Sequence, residues 1–88
     1  MNTVIGSLVQ VNAGRGKGSY YVAVGIHDGF VFIADGRERK LENPKRKNPK
    51  HISPADTIID VGGLTNKKLR QLLNEHLTHA DLQQTNNL

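Results

Sequence analysis

The chain has 88 residues, room for one domain and no second core. It contains no Cys, which excludes a disulfide scaffold, a thiolate metal site and a cysteine nucleophile, and no run of ~18 apolar residues is present to span a membrane. Twelve Lys and Arg against eight Asp and Glu give a net charge of +4, and with no basic start leading into an apolar run the expectation is a cytoplasmic protein.

Ile5, Val9 and Val11 fall on one side at period two and predict a first strand over residues 5–11. Asn12 to Ser19 holds Gly14, Gly16 and Gly18 and is a loop or tight turn. Tyr20 to His27 predicts a second strand, with Tyr20, Val22, Val24 and Ile26 on one face and Tyr21, Ala23, Gly25 and His27 on the other. Asp28-Gly29 is a two-residue hairpin signal, because a type I′ turn needs positive φ at both positions. Phe30 to Ala34 is the third strand, its Phe30, Val31, Phe32 and Ile33 all assigned to the core. Asp35-Gly36 is expected to turn into a short fourth strand ending near Leu41.

Residues 43–54 contain three Pro and two Asn-Pro steps, which forbid a helix and disfavour an internal strand. The segment reads as an extended, exposed loop. Residues 57–61 are expected to return as the last strand, closing a barrel before Gly62-Gly63. Leu64, Leu69, Leu72, Leu73 and Leu77 then lie at helical spacing, with Thr65 as N-cap. Lys67 and Lys68 oppose the helix dipole, so this helix depends on packing its Leu stripe. Residues 79–88 are polar, without periodicity, and are expected to be a flexible tail.

The charge is not evenly spread. Between Arg37 and His51 stand Arg37, Arg39, Lys40, Lys45, Arg46, Lys47 and Lys50 against only Glu38 and Glu42, a local +5, while the rest of the chain carries −1. A concentrated positive segment attracts a polyanion far better than the same charge diluted over a surface.

Gly6-Ser-Leu-Val9-Gln-Val11-Asn-Ala-Gly14-Arg-Gly-Lys17-Gly18 carries the most information. It resembles the start of a KOW motif: a Gly before a short strand, alternating valines, then Gly-x-x-Lys-Gly leading into a second strand. KOW domains occur in ribosomal proteins and NusG-type transcription factors. The similarity runs over residues 5–54, including ADGRERKLENPKRKNPKHI, and is to the large-subunit ribosomal protein fourteen family of archaea and eukaryotes and its small bacterial relatives. The resemblance implies a mostly β fold, an SH3-like barrel over residues 1–62 including the basic loop 37–51, to which the Leu spacing adds a C-terminal helix over 63–78 packed on or beside the barrel. It also implies structured, ribosomal RNA of the large subunit as the partner, with ribosomal or transcription proteins as further ones. The helix lies outside the resemblance.

Elementary chemistry supports an RNA partner independently. Glycines at 14, 16 and 18 let the backbone approach a phosphate and offer N–H groups, and Arg15 and Lys17 add charge beside them. Five phosphate contacts from the basic segment would give a salt slope of about −3.5 to −4.5. Tyr20 is the better core candidate. Tyr21, beside Ala23 and Gly25, is the candidate for stacking on a base or ribose.

Other chemistries find little to work with. GRGKGS lacks both the four-residue spacing and the following helix of a nucleotide-binding loop. His27, His51, His76 and His79 have neither Cys nor clustered acids to complete a metal site. Asp56 and Asp60 read as strand-end residues, and Ser7, Ser19 and Ser53 have no evident base. The expected function is non-catalytic RNA binding without a cofactor. An SH3-like adaptor that binds proteins through the Leu64–Leu77 helix is the alternative, and non-specific DNA binding a weaker third.

Overall fold

The structure, a computed structural model, describes the backbone of residues 3–86 and the side chains of residues 3–77. Five strands form one antiparallel sheet: β1 (Ser7–Val11), β2 (Tyr20–His27), β3 (Phe30–Ala34), β4 (Lys45–Lys47) and β5 (Ile52–Ile58), in the order β4-β3-β2-β1-β5. One helix, α1 (Asn66–Asn86), follows, and a single 3₁₀ turn, Pro49–His51, separates β4 from β5.

That short separation shapes the sheet. β4 and β5 lie at opposite edges, which in a flat five-stranded sheet would stand about 19 Å apart. Only residues 48–51 connect them, and at most about 17 Å can be spanned between Lys47 and Ile52 even if fully extended. Much of that reach is lost to the 3₁₀ turn, which rises only ~2 Å per residue. The sheet must therefore coil until its edges approach. It does not close: β4 and β5 do not pair. β4 has three residues, and Pro49 and Pro54 offer no N–H, so little remains to knit the edges into the barrel expected from sequence.

Coiling gives the sheet an inner face and an outer face, and each has its own apolar cluster. Val9, Val11, Tyr21, Ala23, Val31, Ile33 and Ile52 pack inside. Leu8, Val22 and Ala34 on the outer face pack with Leu69 and Leu73 of α1. The Leu stripe is thus structural at those two positions. Thr65 Oγ1 accepts from the Lys68 N–H at 3.1 Å, the expected N-cap.

A bulge redirects β2. Ala23 pairs with Ile33 but Gly25 pairs with Phe32, so Val24 is an extra residue and alternation resumes inverted beyond it. Ile26, expected beside Val22 and Val24, instead sits opposite Val31 and is 46% exposed. Tyr20 and Tyr21 also exchange their expected places: Tyr21 is buried in the inner cluster, and Tyr20 is half-buried at the edge of the outer one. Tyr21 follows Val9, its partner in β1, onto the face that coiling closes.

Other boundaries move for local reasons. Gly6, at φ 96°, turns the chain so that β1 begins at Ser7 and leaves Ile5 half exposed. Asp28 and Gly29 take φ of 51° and 79°, the positive pair the hairpin requires. The strand expected before Leu41 is absent. Asp35 Oδ1 instead accepts from the N–H groups of Arg37 and Arg39, both at 2.9 Å, and holds residues 35–39 as a closed loop. The proline-rich segment is more ordered than expected, supplying edge strand β4, the 3₁₀ turn with Pro49 at its start, and β5 from Ile52 rather than from residue 57. α1 runs on through Asn86, past the expected end at 78, over a stretch with neither Gly nor Pro; residues 87–88 of the expected tail lie outside the described residues.

The helix is clamped to the loop after β3. Gly36 has φ 76°, and a Cβ there would overlap the carbonyl oxygen of Asn66. Asn66 Oδ1 accepts from the Leu41 N–H at 2.8 Å, its Nδ2 donates to Glu42, and Arg70 Nη1 donates to the Gly36 carbonyl at 2.7 Å. Gly29 has the same hand of φ but open space around it. Gly29→Ala should therefore cost only the left-handed penalty, about 1–2 kcal/mol. Gly36→Ala should cost about 1–3 kcal/mol more through overpacking. Chemical denaturation of the two variants checks this, and equal losses would mean that the helix start does not press on Gly36.

Candidate nucleic-acid interface

The β1–β2 loop is built by its glycines. Gly14, Gly16 and Gly18 have φ of 78°, 83° and 93°, a conformation other residues rarely adopt. The loop satisfies part of itself: the Lys17 N–H donates to the Gly14 carbonyl, Gly18 to Val11 and Ser19 to Gly16. The expected N–H cradle for a phosphate is therefore not free at Lys17 and Gly18. What the loop offers an anion is the exposed side chains of Arg15 and Lys17.

β4 divides the basic segment by simple alternation. Lys45 pairs with Ile33 and Lys47 with Val31, which places both lysines on the inner-face side. Arg46 pairs with Phe32 on the outer side, and its guanidinium carbon lies 4.7 Å from the centre of the Phe30 ring. Phe30 and Phe32, expected in the core, are half-buried on this outer side. The sequence does carry a sign of this arrangement in Gly25, since a glycine inside a strand often marks a bulge.

Cations from three segments come together at one end of the coiled sheet. Lys45 is half-buried and its pKa is lowered from the ordinary 10.5, first by desolvation and then by the positive charges of Lys47, Arg39 and Arg15. Those three residues therefore each lie within electrostatic reach of Lys45, although Arg15 is thirty positions from it in the chain. Beneath them lies Tyr21. A Cβ on Gly16 would come within 3.8 Å of its hydroxyl. Burial, with Asp35 and Glu38 nearby, raises the Tyr21 pKa, and Arg39 opposes the rise. With its ring inside the cluster, Tyr21 is a support for the loop and not the exposed stacking residue expected from sequence.

The remaining cations are more scattered. Arg37 lines a groove of about 330 Å³ between the β1–β2 loop and α1, with Tyr20, Arg70 and Leu73. Lys40 and Lys50 are exposed, Lys50 on the 3₁₀ turn. Among the described residues no Lys or Arg has a carboxylate within 4.0 Å; the single ion-pair contact is His27 with Asp28 at 3.3 Å. Two nearby acids are engaged elsewhere, the Asp35 carboxylate accepting backbone N–H groups and Glu42 bonding Asn66, which holds its pKa low, while Glu38 is exposed without an ion-pair contact.

A half-buried lysine among like charges opposes folding and favours an incoming anion. The unfolded chain binds a proton at Lys45 more readily than the folded one, so stability should rise as pH climbs through the depressed pKa toward 10.5. Lys45→Met should stabilise the free protein at pH 7 and flatten that alkaline rise, measured by thermal unfolding between pH 7 and 10.5. An unchanged profile would mean that neither desolvation nor the neighbouring charges lower the Lys45 pKa in the folded protein. Compared with known proteins, the chain matches no family model and no curated sequence.

Proposed function

We propose that this protein is a non-catalytic RNA-binding module that docks on structured RNA of the large ribosomal subunit, as a ribosomal component or a ribosome-associated factor. The single observation that supports this reading best is the meeting of Arg15, Arg39, Lys45 and Lys47, drawn from three segments and without carboxylate partners among the described residues. A site in which desolvation first, and neighbouring positive charges second, depress a lysine pKa is poorly explained by stability, and an external polyanion relieves the charge crowding. The choice of RNA over other polyanions rests on the KOW-like residues 6–18 and on the SH3-like character that a coiled five-stranded sheet would share with that family. Contacts of this kind position a nucleic acid without reading its sequence.

The adaptor alternative relied on an exposed Leu stripe. Leu69 and Leu73 are buried against the sheet, so the central part of that surface is already occupied.

Two measurements test the reading. Lys45→Ala with Lys47→Ala should make the salt dependence of RNA affinity shallower by about 1.4–1.8 in slope, at 0.7–0.9 for each phosphate that is no longer neutralised. In sucrose gradients of native lysate the protein should co-migrate with the large subunit at low salt, and the double variant should shift toward the light fractions. A protein that stays in the light fractions throughout would sink the ribosomal assignment, and equal affinity for duplex DNA and folded RNA at matched salt would replace RNA with general nucleic-acid binding.

A further inference from the structure

The outer face of β2, β3 and β4 carries a second feature, separate from the cationic cluster. Phe30 and Phe32 are half-buried there and belong to neither apolar cluster. The helix does not account for them. Its described side chains cover Leu8, Val22 and Ala34, and it runs from its clamp at Gly36 toward Tyr20, whose ring lies 6.1 Å from that of His76. That path leads away from the β2–β3 hairpin at Asp28-Gly29.

The bulge at Val24 places Gly25 directly opposite Phe32. No side chain covers the ring from that position, and a Cβ at Gly25 would stand 3.7 Å from the Phe32 Cβ. On the other flank Arg46 pairs with Phe32 but its guanidinium is drawn over Phe30. Phe32 thus has a missing side chain on one flank and, on the other, the strand position of Arg46, whose guanidinium lies over the neighbouring Phe30 ring. Every nucleobase has a π-face that such a ring can meet, and an arginine beside it adds cation–π attraction and charge for the adjoining phosphate.

We propose that this face takes an unpaired base of a single-stranded RNA segment, with Phe32 as the stacking ring, Gly25 as the notch that admits the base and Arg46 as its cationic wall. The proposal rests on the RNA-binding reading and deepens it. β4 joins the two features, because Lys45 and Lys47 point to one side and Arg46 to the other. An RNA strand crossing this edge sets phosphates against the lysines and turns one base onto Phe32. The charge of β4 also argues against a second protein strand pairing at the same edge.

The test compares a single-stranded 12-nucleotide RNA carrying one 2-aminopurine with an RNA hairpin of similar phosphate number. Gly25→Val fills the notch without backbone strain, since Gly25 does not have positive φ. Phe32→Leu removes the ring but keeps an apolar side chain, and Phe32→Tyr keeps the ring. Gly25→Val and Phe32→Leu should weaken the single strand by about 5- to 140-fold and lose the 2-aminopurine quench, leaving hairpin affinity and the salt slope unchanged. Phe32→Tyr should bind as the wild type does. If the wild type binds RNA but both variants bind the single strand unchanged, or lose strand and hairpin equally, the stacking site is wrong and the RNA-binding reading stands. If the wild type binds neither RNA, that reading fails and this one with it.

Discussion

A four-residue connection between opposite sheet edges governs this molecule. β4 and β5 are the outermost strands, yet only Asn48 to His51 lie between them, and all but Asn48 are compacted into a 3₁₀ turn. No flat sheet satisfies that distance, so coiling is a requirement of chain connectivity before any side chain is considered. From coiling come an enclosed inner face, a convex outer face, and the close approach of segments distant in sequence. A small core can then be split between two thin clusters because each face of β1 and β2 is covered: by the rest of the sheet on one side, by α1 on the other.

Placement of the charges follows from the same geometry. The β1–β2 loop, the loop after β3 and strand β4 approach one another at one end of the sheet, which brings Arg15, Arg39 and Lys47 within electrostatic reach of Lys45. Two of the nearby acids serve the architecture, Asp35 in closing its own loop and Glu42 in holding the helix start through Asn66, while Glu38 is exposed beside Arg39 without an ion-pair contact. The result is a positive surface on which, among the described residues, no Lys or Arg is paired with a carboxylate. Strand alternation then separates Arg46 from its lysine neighbours, so three consecutive basic residues serve two different faces.

The glycines divide their work in a way that composition alone does not disclose. Gly14, Gly16 and Gly18 shape a loop that consumes part of its own hydrogen-bonding capacity. Gly36 admits the helix, and Gly25 follows the bulge and leaves a phenylalanine uncovered. At Gly36 the space of the missing side chain is taken by the Asn66 carbonyl, at Gly25 it is left open beside Phe32, and at Gly14 and Gly18 the positive φ is what the loop requires.

The sequence by itself determined the local features: β2 and β3 with their Asp28-Gly29 hairpin, the Thr65 cap, the Leu69 and Leu73 contacts, and the concentration of charge between Arg37 and Lys50. Each of these depends on residues a few positions apart, where turn conformation, capping and helical spacing act directly. It did not determine which tyrosine is buried, because that depends on which face coiling encloses. Nor did it place Ile26, since one extra residue at Val24 inverts the alternation for the remainder of β2, or Phe30 and Phe32, since alternation along β3 puts only Val31 and Ile33 on the enclosed face. The closed barrel, the fourth strand before Leu41 and the free N–H groups of Lys17 and Gly18 failed for a related reason. Edge pairing, the Asp35 side chain and the carbonyls of Val11 and Gly14 all compete for backbone groups, and only the packed chain decides which partner wins.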